Sequence, residues 1–251
     1  VTTTDVDVAI AAARAGAAEA AAGYRTPVER HGKDGIDFAT EADLASERAV
    51  RAVLRDHRPD DAVVGEEYGA EGAGDRTWLV DPICGTLNFA AGIPLLAVNV
   101  ALREGEHVRV AAVADPVAGD VLVTDGERAW AESDPATALS AGTDNRLVEV
   151  DLTSLRTRRL LELPAFAERY APRGAATSLA VAWVAAGRFA AYVADGDVSQ
   201  SVHYAAGLAL CRSTGCVVTD LEGGPVSSGQ GLLVAATGDA HADLLALLAR
   251  A

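Results

Sequence analysis

The 251-residue chain reads as an α+β protein, and three observations carry that reading. Two stretches near the N-terminus have helical character, Thr4–Tyr24 through its alanine content and the segment opening at Thr40 through its apolar spacing. Short apolar runs separated by turn residues follow, with an antiparallel bias. From Leu147 onward strands and helices alternate, which completes the mixed pattern.

Taken in order, the first helix is favoured by propensity alone, and Gly32 and Gly35, with Lys33 and Asp34 between them, break it off from the next. Thr40 and Asp43 form a weaker version of a capping box. Leu44, Ala45, Ala49, Val50, Val53 and Leu54 then recur at helical spacing until His57-Arg58-Pro59. Strand-like pieces follow at Ala62–Val64, Trp78–Val80, Leu95–Leu102, Val108–Ala114 and Val121–Val123, with turns at Glu104-Gly105, Pro116 to Gly119 and Asp125-Gly126. Residues 131–146 are the candidate boundary between an N-terminal half, 1–140, and a C-terminal half, 141–251. In the second half the expected order is strand Leu147–Val150, helix near 154–161, buried helix Thr177–Ala186 and strand Phe189–Val193. Helix Ala205–Ser213, strand Cys216–Thr219, strand Leu232–Ala236 and a last helix over 239–250 capped by Asp239 complete it.

Half of the residues are hydrophobic, enough for a substantial core in one large domain or two small ones. A net charge of −15 and a pI near 4.6 argue against nucleic acid or an anionic membrane as partner. Three cysteines, Cys84, Cys211 and Cys216, do not make a disulfide framework, so a reducing cytoplasm is expected. Cys211 and Cys216 sit in an apolar run and read as core residues. No apolar run reaches the ~18 residues that span a bilayer, and no basic-then-apolar leader pattern opens the sequence.

The chemistry concentrates in Trp78-Leu79-Val80-Asp81-Pro82-Ile83-Cys84-Gly85-Thr86-Leu87-Asn88-Phe89. Trp-Leu-Val reads as a buried strand, and Pro82 and Gly85 mark a tight loop at its C-terminal end, where Asp81 can face a metal or phosphate. Upstream lie Gly65-Glu66-Glu67, after Ala62-Val63-Val64, and Asp37-Phe38-Ala39-Thr40-Glu41-Ala42-Asp43. Singly, Glu66 is also a plain turn acid, Asp43 a first-turn helix acid and Asp81 a turn acid before proline.

Jointly these blocks resemble the inositol monophosphatase family of magnesium-dependent, lithium-sensitive phosphatases. Its pattern is Thr-x-x-Asp, then Gly-Glu-Glu, then Trp-x-x-Asp-Pro-Ile-Asp-Gly-Thr-x-Asn. The resemblance covers nearly the whole chain and implies a layered αβαβα sandwich with the active site between the halves, and a homodimer. It further implies that Glu66, Asp81 and the Ile83 carbonyl hold a first metal, that Asp43 and Thr86 activate water, and that Gly85 and Thr86 contact phosphate. Asn88 and Lys33 complete the substrate-binding candidates.

This sequence departs from the family where its second metal would bind. Cys84 replaces the second aspartate of the Asp-Pro-Ile-Asp motif. The family's Trp-Asp-x-Ala-Ala-Gly, leading to Glu-Ala-Gly-Gly, becomes Val202-His203-Tyr204-Ala205-Ala206-Gly207, leading to Ser213-Thr214-Gly215-Cys216. The substrate-contacting acid before that motif has no equivalent, since Tyr192-Val193-Ala194 stands there. A thiol and an imidazole hold Mg²⁺ poorly. Loss of a catalytic metal removes several kcal/mol, and ~4 kcal/mol is already about a thousandfold in rate.

The expectation is therefore an inositol-monophosphatase-like enzyme with a degenerate second metal site, repurposed for a reaction on a small polar or phosphorylated metabolite through Cys84, His203 and the remaining acids. Cys84 with His203 can serve as nucleophile and base. Alternatively Asp81, Cys84 and His203 hold one softer cation such as Zn²⁺ in a metal-dependent phosphomonoesterase of altered metal use. The cofactor expectation spans one divalent cation, Mg²⁺ or Zn²⁺, and none. The remaining alternative is a non-catalytic binding or scaffold homologue. A biosynthetic role is suggested by the altered site alone. His31, His57, His107 and His241 read as surface residues, and Asp195, Asp197, Ser199 and Gln200 as a rim to the pocket.

Overall fold

The computed structural model describes residues 3–27, 30–32, 38–142 and 144–251, so Lys33 lies outside the described residues. Helix α1 (Asp5–Gly23) opens on a capping box between Thr4 and Asp7. A small hairpin of β1 (Arg30–Gly32) and β2 (Phe38–Thr40) leads into α2 (Glu41–His57), whose first turn is closed by the reciprocal Thr40–Asp43 box expected from the sequence.

Next come β3 (Ala62–Gly65), β4 (Gly69–Glu71), β5 (Arg76–Cys84), the short α3 (Thr86–Ala91), β6 (Ala97–Glu104), β7 (His107–Ala114), β8 (Val121–Thr124), β9 (Ala129–Ala131) and β10 (Asp134–Ala138). They form one eight-stranded sheet in the order β10-β9-β8-β7-β6-β5-β3-β4, antiparallel except where β3 runs beside β5. Thereafter run β11 (Leu147–Val150), α4 (Leu155–Arg158), α5 (Pro164–Ala167), β12 (Ala171–Arg173), α6 (Leu179–Ala185), β13 (Ala191–Ala194), α7 (Val202–Ser213), β14 (Val217–Thr219), β15 (Leu232–Ala235) and α8 (Gly238–Leu248). Their strands make a five-stranded sheet, β12-β11-β13-β15-β14.

Strand alternation divides the side chains into layers. Trp78, Val80, Val98, Val100 and Leu102 face α1 and α2 from one side of the large sheet. From its other side Leu79, Ala97 and Ala101 meet α6 and α7, which also pack against Tyr192, Ala194, Leu232 and Val234 of the small sheet. The outer face of the small sheet, with Val148, Val193 and Leu233, is covered by Leu160, Phe166 and the leucines of α8. The result is the αβαβα sandwich, with α6 and α7 as its central layer. Among the described residues no helix is long and apolar enough to cross a membrane.

Several local readings change. The strand beginning at Trp78 does not stop before Pro82, because β5 continues to Cys84 through a register shift against β6. Helix α7 begins at Val202 rather than Ala205, capped by the Ser201 hydroxyl on the His203 N–H. The last helix is capped by Thr237, two residues ahead of the Asp239 expected in that role. Residues 131–146 contain the edge strand β10, which alternation did not reveal because all five of its residues are exposed.

One buried ion pair fixes the approach of α2 to the β3–β4 turn. Glu47 is fully buried, paired with Arg51 at 2.7 Å, and accepts the N–H groups of Glu67 (2.7 Å) and Tyr68 (3.2 Å). A Cβ at Gly65 would stand 1.9 Å from the Glu47 carboxylate, which explains the glycine at the head of Gly-Glu-Glu. Arg51→Met would leave that carboxylate buried without its cation. We expect a loss of about 3 kcal/mol or more of unfolding free energy, read as a lowered urea midpoint.

Candidate functional site

Two features of β5 assemble the site. Asp81 shares the parity of Leu79, so its carboxylate faces the central helical layer, directly across from Asn99 on β6. The register shift between Asp81 and Cys84 then returns Cys84 to that same face, where it packs against the central core. Helix α7 delivers His203 from the opposite side in its first turn. One ligand atom from each of Asp81, Cys84 and His203 lies within 4.8 Å of the others.

Asp81 is fully buried, and its Oδ2 accepts from His203 Nδ1 at 2.7 Å and from Asn99 Nδ2 at 3.3 Å. Its Oδ1 is buried with no hydrogen-bond partner. Glu66 Oε2 stands 3.8 Å from the same His203 nitrogen. Burial opposes a charge on the imidazole, but the Asp81 carboxylate and Cys84 outweigh it and the His203 pKa is pushed up to about 12. Burial, reinforced by the Asp81 charge, pushes the Cys84 thiol up as well. The Ser178 N–H donates to Cys84 Sγ at 3.1 Å and the Thr177 hydroxyl to the Cys84 carbonyl at 3.0 Å.

The Asp43–Thr86 pair is present. Thr86 Oγ1 lies 3.2 Å from Asp43 Oδ1 and 3.2 Å from the Ile83 carbonyl, either of which can take its proton. Gly85 has φ of +109°, and a Cβ there would meet the Leu95 carbonyl at 2.8 Å, so glycine is required where the chain turns into α3. The Asn88 amide nitrogen donates to the carbonyls of Leu95 (3.0 Å) and Ala175 (2.7 Å), tying the Asp81 loop to the segment before α6.

A cavity of about 390 Å³ opens beside Cys84 and His203. Its other walls come from β11 and the segment after it, from residues 174–178, and from Tyr192 and Tyr204, whose hydroxyls lie 3.1 Å apart. Ser199 and Gln200, expected at this rim, line a different groove with Arg103 and Arg212. Ser213 belongs to the far end of α7, bonded to Thr124 and the Ala209 carbonyl, so its difference from the family motif does not touch the centre. His241 is half-buried and bonded to Thr219 at 2.8 Å, not a free surface residue. Cys211 is a core residue as expected.

Asn99, Thr177, Ser178 and Glu149 escaped the sequence reading. Asn99 had left a trace: it is the one polar residue in the apolar run 95–102, and such a residue in a buried strand needs a partner. The others sit in irregular chain or at a strand position where nothing local marks them.

Burial raises the Asp43 pKa from 3.8 to about 6, with the Thr40 hydrogen bonds opposing and the nearby Glu67 charge adding to the shift. The folded state therefore keeps the proton where the unfolded chain releases it, so this group's contribution to stability falls as pH rises from 3.8 through about 6. The decrease is on the order of 3 kcal/mol. We expect a carboxyl-carbon NMR titration of Asp43 with its midpoint near 6, and a stability profile that loses this step in Asp43→Asn.

With this geometry in place, the chain can be set beside known proteins. The inositol monophosphatase family pattern matches residues 2–251. An inositol-1-monophosphatase of Caulobacter vibrioides is 32% identical over 243 residues, spanning 89% of this chain and 91% of its own. A Nus factor SuhB of Pseudomonas aeruginosa is 33% identical over 209 residues, 76% of this chain and 75% of its own. Among solved structures, the IMPase of Thermotoga maritima superposes with a TM-score of 0.85 at 24% identity, over 97% of this chain and 96% of that one. The chain belongs to the inositol monophosphatase family, as a divergent member whose candidate metal-binding cluster is the mixed set Asp81, Cys84 and His203.

Proposed function

We propose that this protein is an enzyme acting on a small polar or phosphorylated metabolite at the Asp81–Cys84–His203 centre, with one soft divalent cation in place of the family's magnesium set. The observation that carries this reading is the convergence of a carboxylate, a thiol and an imidazole within 4.8 Å, beside a buried Asp81 oxygen that has no partner.

The donor set decides between cations. Mg²⁺ prefers oxygen ligands in octahedral array, and only Asp81 in this cluster supplies one. Zn²⁺ takes carboxylate oxygen, thiolate sulfur and imidazole nitrogen together, and catalytic zinc sites use three protein ligands with a fourth position open. Asp81, Cys84 and His203 would hold such an ion, and it would supply Lewis acidity and a water of lowered pKa.

The protein's own groups do the rest. Asn99 fixes the Asp81 carboxylate, and the Ser178 N–H with the Thr177 hydroxyl fixes Cys84. The Asp43–Thr86 pair is proposed to orient the attacking water, with Glu66 beside His203 Nδ1. Gly85 and Thr86, at the turn into α3, are the proposed phosphate contacts. Asn88 is proposed to position this loop, since its amide nitrogen already serves two carbonyls.

Purified protein is expected to retain about one zinc per chain and to lose it in Cys84→Ser and in His203→Ala. Hydrolysis across a panel of phosphate monoesters is expected to fall with chelator and return with Zn²⁺. Rapid turnover with Mg²⁺ alone in zinc-free protein would overturn the proposal. Turnover that survives chelation but not Cys84→Ser would replace it with a Cys84–His203 nucleophile pair.

A further inference from the structure

The cavity beside the centre has a chemical character of its own. Among the described residues its walls carry two carboxylates, Glu149 and Asp151, and neither a lysine nor an arginine. Glu149 is 2% exposed. Its Oε1 accepts the N–H groups of Ala175 (2.5 Å) and Ala176 (3.1 Å), while Oε2 is buried with no partner. Ala176 holds its place with φ of +52°, a left-handed conformation that an alanine adopts only at an energetic cost. The strained turn is clamped further by Asn88 on the Ala175 carbonyl.

A buried carboxylate whose second oxygen goes unused is unfavourable unless something else supplies the missing charge. Among the described residues no lysine or arginine bonds to Glu149, and the His203 imidazole in the cavity wall is engaged with Asp81. Burial accordingly raises the Glu149 pKa, with the neighbouring Asp151 charge adding to the effect. Tyr192 and Tyr204 line the same space, with their rings edge-on to each other.

We infer that this cavity receives a protonated amine on the organic part of the substrate, with Glu149 as the specificity-determining residue. Glu149 Oε2 accepts the ammonium, Asp151 adds a second negative charge at the rim, and the tyrosines contribute ring faces that favour a cation over a neutral hydroxyl. Among the described residues the walls carry no lysine or arginine, which favours placing a phosphate toward the Gly85–Thr86 turn and the amine-bearing moiety in the cavity.

This inference rests on the preceding functional reading only in taking the cavity as part of the same active site, so it is tested by binding and not by turnover. Matched probes, D-glucosamine against D-glucose and serinol against glycerol, are titrated calorimetrically into the full chain and into Cys84→Ser. Each amine is expected to bind about tenfold more tightly than its alcohol. Glu149→Gln should bring each pair to parity. The exposed-side substitution Asp151→Asn should weaken the amines several-fold, and serves as an independent reading if Glu149→Gln fails to fold. Amines that bind no better than their alcohols, or a preference unchanged in these variants, would overturn the inference. Zinc content and phosphate hydrolysis report on the metal reading separately.

Discussion

The centre depends on where one buried carboxylate is held. Asp81 has no solvent exposure, so its charge must be met inside the protein, and His203 and Asn99 meet it from α7 and β6. Each of the other features follows from that requirement. The first turn of α7 must reach the large sheet, which sets the depth of the central layer. Asn99 must stay amide-bearing in a strand that is otherwise apolar. Segment 174–178 must stay close enough for Ser178 to touch both Asn99 and Cys84. A carboxylate left alone at this depth would cost several kcal/mol, more than most single contacts in the core return.

The same constraint explains how the family's metal site changed without the fold changing. The sheet, the register shift in β5 and the approach of α7 are set by packing on both faces of the large sheet, where the altered residues Cys84 and Val202 take only partly buried places at the edge of a core built from unaltered side chains. Cys84 and His203 are therefore presented at positions where family members carry aspartates, but with different donor chemistry. Two aspartates of the family motifs are replaced, and one imidazole nitrogen, His203 Nδ1, now stands near both Asp81 and Glu66. Charge balance at the centre no longer demands several hard cations. The cavity next to it keeps an acidic character through Glu149 and Asp151, which come from β11 and the residue that follows it.

The fold was readable from the sequence wherever short-range physics governs. Thr40 and Asp43 form their reciprocal cap because three residues in one turn suffice, and the alternation of Trp78, Leu79 and Val80 reports which side of a strand meets which helix. The family motifs anticipated the pairing of Asp43 with Thr86 and the approach of Asp81 and Glu66 to His203, and the closeness of Cys84 to His203 followed from their shared ancestral place. Glu149 was not readable, because its partners are backbone groups of Ala175 and Ala176 that no pattern in the sequence links to β11.

By itself, then, the sequence determined the layered class, the main helix and strand segments and the identity of the residues that depart from the family motifs, since periodicity and motif order are local properties of the chain. Tertiary structure alone decided that β5 runs on past Pro82 and bulges, so that Asp81 and Cys84 face one way. It likewise decided that Asn99, Ser178 and Glu149 join the site, and that Ser213 does not. The reason is the same in each case: which face a residue shows, and what waits there, is set by elements distant in sequence that meet only when the layers close.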